Sequence, residues 1–509
     1  MLAAAPALLT LGELSTEESN LLTHLRTQIM LDTWHLTLLD AYYNGDQIIR
    51  DLGIALPPQL RGLSTVVGWP AMAVDSIEER LNVQGFRYPG STDVDSDLEA
   101  LWQENDLDEE APLAHVDALA LGRSYISVGT PADEDDNDEG AIIRVESPID
   151  MTIDWDPRTR RVLAALRIIT PVINRPYYPI EGVLYLPNET VRVELGVGGG
   201  WQVLERDEHN LGRVPVVRMV NRSRPHDRVG SSEISAPVMS ITDAACRTLM
   251  SMETAREFFA APQRYILGAT EASFQAADGT PKSAWQTYIG RVLALERDEE
   301  GQLPTVGEFT ASDPKSYTEL IDAYAKIMAG QTGLPLHYFG YTTDNPASAD
   351  AIAYSEWRLK VRSERRTTHF GGAWEEVMRL ALMMRDGVSS LPAEANRLAT
   401  AWGPCDIPKP ATITDSLLKQ QQMGAITPRA DVVLEKLGWN AVQREQLREA
   451  AKTDAAEQFI EEAATNVLAR ALRVDKTLSA DIGAQQPGAT NGAGSNNAPI
   501  PGSSPSERG

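Results

Sequence analysis

Apolar residues recur at helical spacing over several stretches of this chain and alternate with polar ones over another, and that division gives the first outline of the fold. The first helical pattern begins at Ser15, where STEE sets Glu18 three residues after a serine N-cap, the reciprocal arrangement of a capping box. Leu22, Leu25, Ile29 and Trp34 continue it as one apolar stripe. Tyr42 and Tyr43 close the helix with rings that pack while their hydroxyls stay in water. Asn44 and Gly45 supply the left-handed backbone that a tight exit needs. A second helix is expected over residues 69–81 (WPAMAVDSIEERL), running into the extended segment NVQGFRY.

Between residues 120 and 220 the period changes to two. SYISVGT and AIIRVES are alternating, β-branched runs on either side of the loop PADEDDNDEG and predict a hairpin. VLAALRIIT, GVLYLP, TVRVELG and WQVLER predict further strands, with an antiparallel meander as the simplest topology. Helical spacing returns at residues 235–259, a rod of roughly 37 Å at 1.5 Å per residue whose apolar positions fall almost all round. Residues 261–312 are more irregular and hold two candidate strands, RYILGA and GRVLALERD.

A second rod follows. Asp313 is its N-cap, Pro314 takes the first helical position, and Tyr317, Leu320, Ile321, Tyr324, Ile327 and Met328 share a face. GQTGLP stops it, and the polar loop GYTTDNPAS leads into a long helix over residues 347–386, in which Gly371 and Gly372 mark the easiest place for a bend. Shorter helices are expected beyond residue 411: Thr427 and Pro428 start one, Gly438 ends it, and Asn440 with Gln443 caps the next. After Gly483 the sequence has too little apolar surface to offset ordering entropy, which predicts a disordered tail over residues 483–509.

Length and charge narrow the function. A chain of 509 residues implies two to four packing units, and no apolar run approaches the ~18 residues of a membrane span. The N-terminal apolar patch has no basic residue before it and does not read as a signal peptide. Cys246 and Cys405 stand alone, without CxxC or Cys/His spacing, and are read as reduced thiols. A net charge of -26 argues against a broad duplex-binding surface, which needs Lys and Arg to displace counterions.

Catalytic and ligand motifs are few. There is no GxxxxGK[ST] loop, HExxH or GxSxG. GVGGGW at 196–201 lacks GxGxxG spacing and is read as a hairpin turn. The run Asp133, Glu134, Asp135, Asp136, Asp138, Glu139 invites a calcium reading, but EF-hand spacing is missing and a solvated hairpin tip is favoured. His209 and His226 are read as surface residues. No catalytic, cofactor-binding or metal-binding residue is assigned. One feature runs against the acidic background: Arg358, Arg362, Arg365 and Arg366 form a basic stripe on the long helix. A solvated or salt-bridged face is the favoured reading; the sharper one is contact with phosphate or with an acidic neighbouring subunit.

The order of these elements, and the wording of YYNGDQ (42–47), WPAMAVDSIEERLNVQGFR (69–87), SPIDMTIDWDPRTR (147–160), GSSEIS (230–235), AAPQRYILGA (260–269), TGLPLHYFG (332–340), SADAI (348–352) and WEEVMRLAL (374–382), resembles the tailed-bacteriophage portal family, in its actinobacteriophage form. The resemblance spans about residues 15–460. It implies a mainly helical α+β portal fold with wing, stem, clip and crown: a wing region over 1–229, stem helices at 230–259 and 313–331, a clip at 260–312, a tunnel loop and long wing helix at 332–410, and a crown at 411–482. Tyr341, Thr342, Thr343, Asp344 and Asn345 would form the tunnel loop.

The resemblance further implies a non-enzymatic homo-oligomeric ring of about twelve subunits. It would stand at a capsid vertex of the virion, assembled in the host cytoplasm, with double-stranded DNA passing through its channel. Large terminase, head-to-tail adaptor, major capsid and scaffold proteins would be its partners, with no membrane and no cofactor. Two other classes stay open at this stage: another head-completion structural protein, and a carboxylate-dependent hydrolase.

Overall fold

The computed structural model describes residues 14–48, 65–91, 93–130, 140–169, 180–196, 200–259, 264–267, 305–308, 315–340 and 349–406, with short helical pieces between 417 and 452. The chain divides into two units, Met1–Pro408 and Lys409–Gly509. The described part of the second unit is helical, with Leu417 and Val433 buried. The expected signals at Pro314, Thr427, Pro428, Gly438 and Asn440, the strand GRVLALERD and the tail all lie outside the described residues.

In the first unit, α1 (Thr16–Asn44) starts as expected: Ser15 Oγ accepts from the Glu18 amide at 3.2 Å, and the Glu18 carboxylate accepts from the Ser15 amide at 2.7 Å. Its two halves serve different cores. Leu22, Leu25 and Ile29 pack on a β-sheet with Leu166, Leu184, Val191 and Val203, whereas Leu36 and Leu39 enter the main core. Trp34, expected on the stripe, is 74% exposed; seven residues beyond Ile29 the 3.6-residue period falls on Leu36 instead.

The tyrosines at the end of α1 also depart from expectation. The Tyr42 hydroxyl donates to Asp243 Oδ1 at 3.0 Å and the Tyr43 hydroxyl to Asp75 Oδ1 at 2.9 Å, so neither is left to water alone. Burial, then the neighbouring carboxylate, pushes Tyr42 up to about 12. Gly45 has φ 79°, and a Cβ there would meet Val66 at 2.7 Å. The helix end is thus a clamp onto two other helices, α2 (Trp69–Glu78) and α5 (Ala236–Phe259).

Strand β1 (Val83–Arg87) follows α2. Residues 96–121, for which the sequence pattern yields no element, form α3 (Ser96–Glu104) and α4 (Leu107–Leu121). Asp95 caps α3 by accepting the Asp97 and Leu98 amides at 3.1 Å each. The hairpin comes next as β2 (Arg123–Gly129) and β3 (Ile142–Glu146). The meander comprises β4 (Met151–Trp155), β5 (Val162–Ile169), β6 (Glu181–Tyr185), β7 (Thr190–Leu195) and β8 (Trp201–Asp207), antiparallel in sequence order. Leu195 on β7 stands opposite Trp201 on β8 and the Gly196 amide donates to the Gly200 carbonyl at 2.9 Å; residues 197–199 of GVGGGW lie outside the described residues. The meander stops there: β9 (Val216–Val220) returns to pair antiparallel with β2, giving a separate sheet of order β3-β2-β9.

Helix α5 lies against α6 (Lys315–Thr332), and between them in sequence β10 (Arg264–Leu267) pairs with β11 (Thr305–Glu308). The long helix α7 (Ala349–Asp386) runs without a break through Gly371 and Gly372. Gly371 has a packing role: a Cβ there would meet Trp402 Nε1 at 3.0 Å. Trp402 ends β12 (Ala399–Trp402), which pairs antiparallel with β1. Residues 370–384 of α7 are the spine of the main core: Phe370, Trp374, Val377, Met378 and Ala381 are buried among α3, α4 and α2 side chains. At its centre Trp374 Nε1–H donates to His115 Nε2 at 3.0 Å, and burial pulls His115 down to about 3, so the ring is neutral.

Candidate functional site

The basic stripe separates once side chains are placed. Arg365 is exposed, and Arg358, also exposed, donates to the Gly330 carbonyl at 3.2 Å. Arg362 and Arg366 turn inward and both bond Glu233, a residue 3% exposed just before α5. Arg222 Nη1 stands 3.5 Å from the same carboxylate, and Asn221 Nδ2 donates to it at 3.2 Å. Burial alone would raise the Glu233 carboxyl; the guanidiniums of Arg362, Arg366 and Arg222 reverse that and hold it below the usual carboxylate value.

The wording GSSEIS acquires a physical meaning here. Gly230 has φ 107°, and a Cβ on it would lie 2.2 Å from the Gly122 carbonyl oxygen, so two backbones cross where no side chain fits. The Ser231 amide donates to the Asn221 carbonyl at 2.9 Å, the Glu233 amide to the Leu119 carbonyl at 2.9 Å, and Ile234 is buried. The segment fixes the root of α5 against α4 and β9, and Glu233 fixes it to α7. This junction was not legible as a site, because its two buried arginines lie more than a hundred residues from Glu233.

The residues expected as a tunnel loop, Tyr341, Thr342, Thr343, Asp344 and Asn345, lie outside the described residues, but their flanks are fixed. On one side a 3-10 turn, Leu336–Phe339, sets Phe339 edge-on to Trp69 at 5.8 Å. On the other, α7 begins with Ile352, Tyr354 and Trp357 exposed. Arg80, from the WPAMAVDSIEERL wording, bridges the two: it donates to the Tyr338 hydroxyl at 3.0 Å, stands 3.5 Å from Glu356, and reaches the Cys405 carbonyl at 3.0 Å.

Among the described residues no group of His, Cys, Asp and Glu could hold a metal ion, and no helix is long and apolar enough to cross a membrane. His226 is exposed and His209 half-buried; Cys246 and Cys405 are buried and unpaired with each other. The two carboxyls that burial pushes up to about 7, Glu78 and Glu146, do not converge: Glu78 stands on α2, and Glu146 is held by Arg167 at 2.8 Å on β5. Neither lines the cavity of about 280 Å³ between α1, β2, β4 and β9, whose carboxylates are Asp32 and Asp154.

A scaffold of long packed helices with an interior charge junction agrees with the comparisons to known proteins. Residues 24–458 match the family described as phage portal protein, SPP1 Gp6-like. The chain is 37% identical over 429 residues to a portal protein of Mycobacterium phage D29, covering 82% of this chain and 85% of that one. It is 36% identical over 426 residues to a portal protein of Mycobacterium phage L5, with the same coverage of each chain. Arg80, Gly230 and Glu233 fall inside the matched span, and the chain belongs to the phage portal protein family.

Proposed function

We propose that the chain assembles into a closed ring of about twelve copies at one capsid vertex, forming the channel through which double-stranded DNA is packaged and later ejected. In this reading 1–229 and the long helix form the wing, 230–259 and 313–331 the stem, 260–312 the clip, and 411–482 the crown. The clip meets the large terminase during packaging and the head-to-tail adaptors afterwards. The protein supplies channel and docking surfaces, and a separate ATPase does the mechanical work. An acidic chain suits a conduit, since a wall that neutralised many phosphates would hold the duplex in place.

The observation that best supports the reading is on α6. Ala325 and Met328 are buried in the core, while Leu320 and Ile327, two turns apart, are 47% and 50% exposed with Ala323 exposed between them. Such a strip fits burial against a neighbouring copy, as in obligate interfaces of more than about 2,000 Å². Native mass measurement and negative-stain imaging test it: rings with a central hole are expected, and Leu320→Glu with Ile327→Glu should shift material to single chains. Single particles alone, both in dilute buffer and from virions, would refute it.

A further inference from the structure

The cavity between α1, β2, β4 and β9 is rimmed by arginines. Leu31, Asp32, Arg123, Trp155, Arg218 and Val229 are among its lining, and the Arg218 guanidinium lies 4.4 Å from the centre of the Trp155 ring. Arginines cluster nearby. The β4–β5 turn exposes Arg158, Arg160 and Arg161, and the segment after β9 adds Arg228. Burial, with the like charges of Arg228 and Arg160 close by, draws Arg218 below the usual guanidinium value.

The turn is rigid. Asp156 accepts the Arg158 and Thr159 amides at 2.9 and 3.2 Å, and the Arg160 amide donates to the Asp156 carbonyl at 2.7 Å. Arg160 sits at φ 61° and Arg222, in the other arginine segment, at φ 50°. Left-handed backbone is common for Gly, Asn and Asp and costs an arginine, so Arg160 marks local strain of the kind that gathers at functional surfaces.

The ion pairs in and beside the cavity are Arg123–Asp32 and Arg224–Asp227, while Arg222 turns to Glu233 at the α5 root. Among the described residues they leave Arg158, Arg160, Arg161 and Arg228 without a carboxylate partner. Four such cations on a chain of net charge -26 call for an acidic occupant.

The chain itself carries one: residues 133–139 hold six carboxylates, Asp133, Glu134, Asp135, Asp136, Asp138 and Glu139. We propose that the arginine-rimmed cavity of one copy receives the acidic run 133–139 of the adjacent copy. This rests on the ring reading above. The run of the same copy is badly placed to serve. It leaves β2 beyond Gly129, whereas Arg123 and Val220 mark the opposite end of the β2–β9 pair, about 20 Å away at ~3.4 Å per residue. Residue 135 is six residues past Gly129, so it would have to reverse direction and run fully extended, at most ~3.6 Å per residue, to return there. A head-to-tail ring contact instead joins two different patches of neighbouring copies, as a cavity and a loop require. Leu31 and Trp34, each 74% exposed, add an apolar flank on the α1 side.

The test is an oxidative cross-link in the full chain carrying Asp135→Cys and Arg160→Cys, with Cys246 and Cys405 buried in the background. The proposal expects a ladder of covalent oligomers extending past the dimer. A cross-link confined within one chain, a ladder that stops at the dimer, or rings that form without any cross-link would each overturn it. So would suppression of the ladder by a short duplex DNA at physiological salt, which would assign the arginines to phosphate. As a second measurement, Arg158→Glu with Arg160→Glu and Arg228→Glu should lower ring yield about tenfold or more, and Glu134→Lys with Asp135→Lys and Asp136→Lys should restore it. Failure of the restored chain to regain rings where the wild type forms them counts against the pairing. A wild type that never forms rings refutes the ring reading itself.

Discussion

Replacing Glu233 by Gln removes one charge and almost no volume, so its cost is set by the groups left around it. The carboxylate is 3% exposed and bonds Arg362 and Arg366, whose side chains are 18% and 10% exposed. Without the charge two guanidiniums face each other in the interior with only neutral acceptors: the glutamine oxygen, the Asn221 amide oxygen, which accepts from Arg366 Nε at 3.1 Å, and the Arg362 carbonyl, which accepts from Arg366 Nη1 at 3.3 Å. Breaking a buried pair from one side costs about 3–5 kcal/mol. Arg222, 47% exposed, adds little, because an exposed pair is worth roughly 0–1 kcal/mol. At ~2 °C per kcal/mol for a body of this size, the apparent unfolding midpoint of Glu233→Gln should fall by about 6–10 °C, read by circular dichroism. Arg365→Met, on the same helix but exposed, should stay within about 0.5 kcal/mol of wild type. The Glu233 carboxyl is held below its ordinary value of 4.5, so its contribution is complete above that value and is lost as pH falls through the depressed folded value. The difference between wild type and variant should therefore be flat at neutral pH and shrink in strong acid. A gap under ~1 kcal/mol, or one equal to that of Arg365→Met, would refute the account.

Other consequences can be checked the same way. Gly372→Ala, with open space around a Cβ, should stabilise α7 by about 1 kcal/mol, whereas Gly371→Ala meets Trp402 Nε1 at 3.0 Å and should gain less or lose stability in urea unfolding. His115 is held neutral down to about 3 against 6.5 in the unfolded chain, so the unfolded state takes up the proton first and stability falls as pH drops below 6.5, by up to ~1.4 kcal/mol per pH unit. Glu78 and Glu146, raised to about 7, act in the opposite sense over the same interval; the readout is thus the difference between wild type and His115→Gln, which should narrow on acidification. In the channel reading Asp344→Lys slows DNA translocation, and unchanged packaging in that variant removes Asp344 from the bore.

Local chemistry was legible and long-range pairing was not. The Ser15–Glu18 box, the Gly45 exit and the β2–β3 hairpin each follow from a few adjacent residues. Helix α3 had a usable signal in Asp95 followed by Leu98, Leu101 and Trp102, three and four residues apart. The return of β9 to β2, by contrast, joins strands about ninety residues apart, which no local period encodes. Gly371 and Gly372 illustrate the same limit: a glycine pair in a helical pattern signals a weak point, yet its use here depends on Trp402 arriving from a distant strand. The arginines of α7 were visible as a stripe, but helical spacing cannot tell which cations face inward. Arg362→Glu, which the sequence alone would offer as a probe of ring contacts, acts first on the chain's own interior.

The distance in sequence between Glu233 and Arg366, 133 residues, has a meaning for synthesis as well as for stability. At ~5–20 residues per second a ribosome delivers the carboxylate roughly 7–27 s before Arg366. Strand β1 waits longer still for β12. A fragment released early carries an acid faced by Arg222 alone and an open strand edge, and only a chain translated past residue 402 can close its first unit.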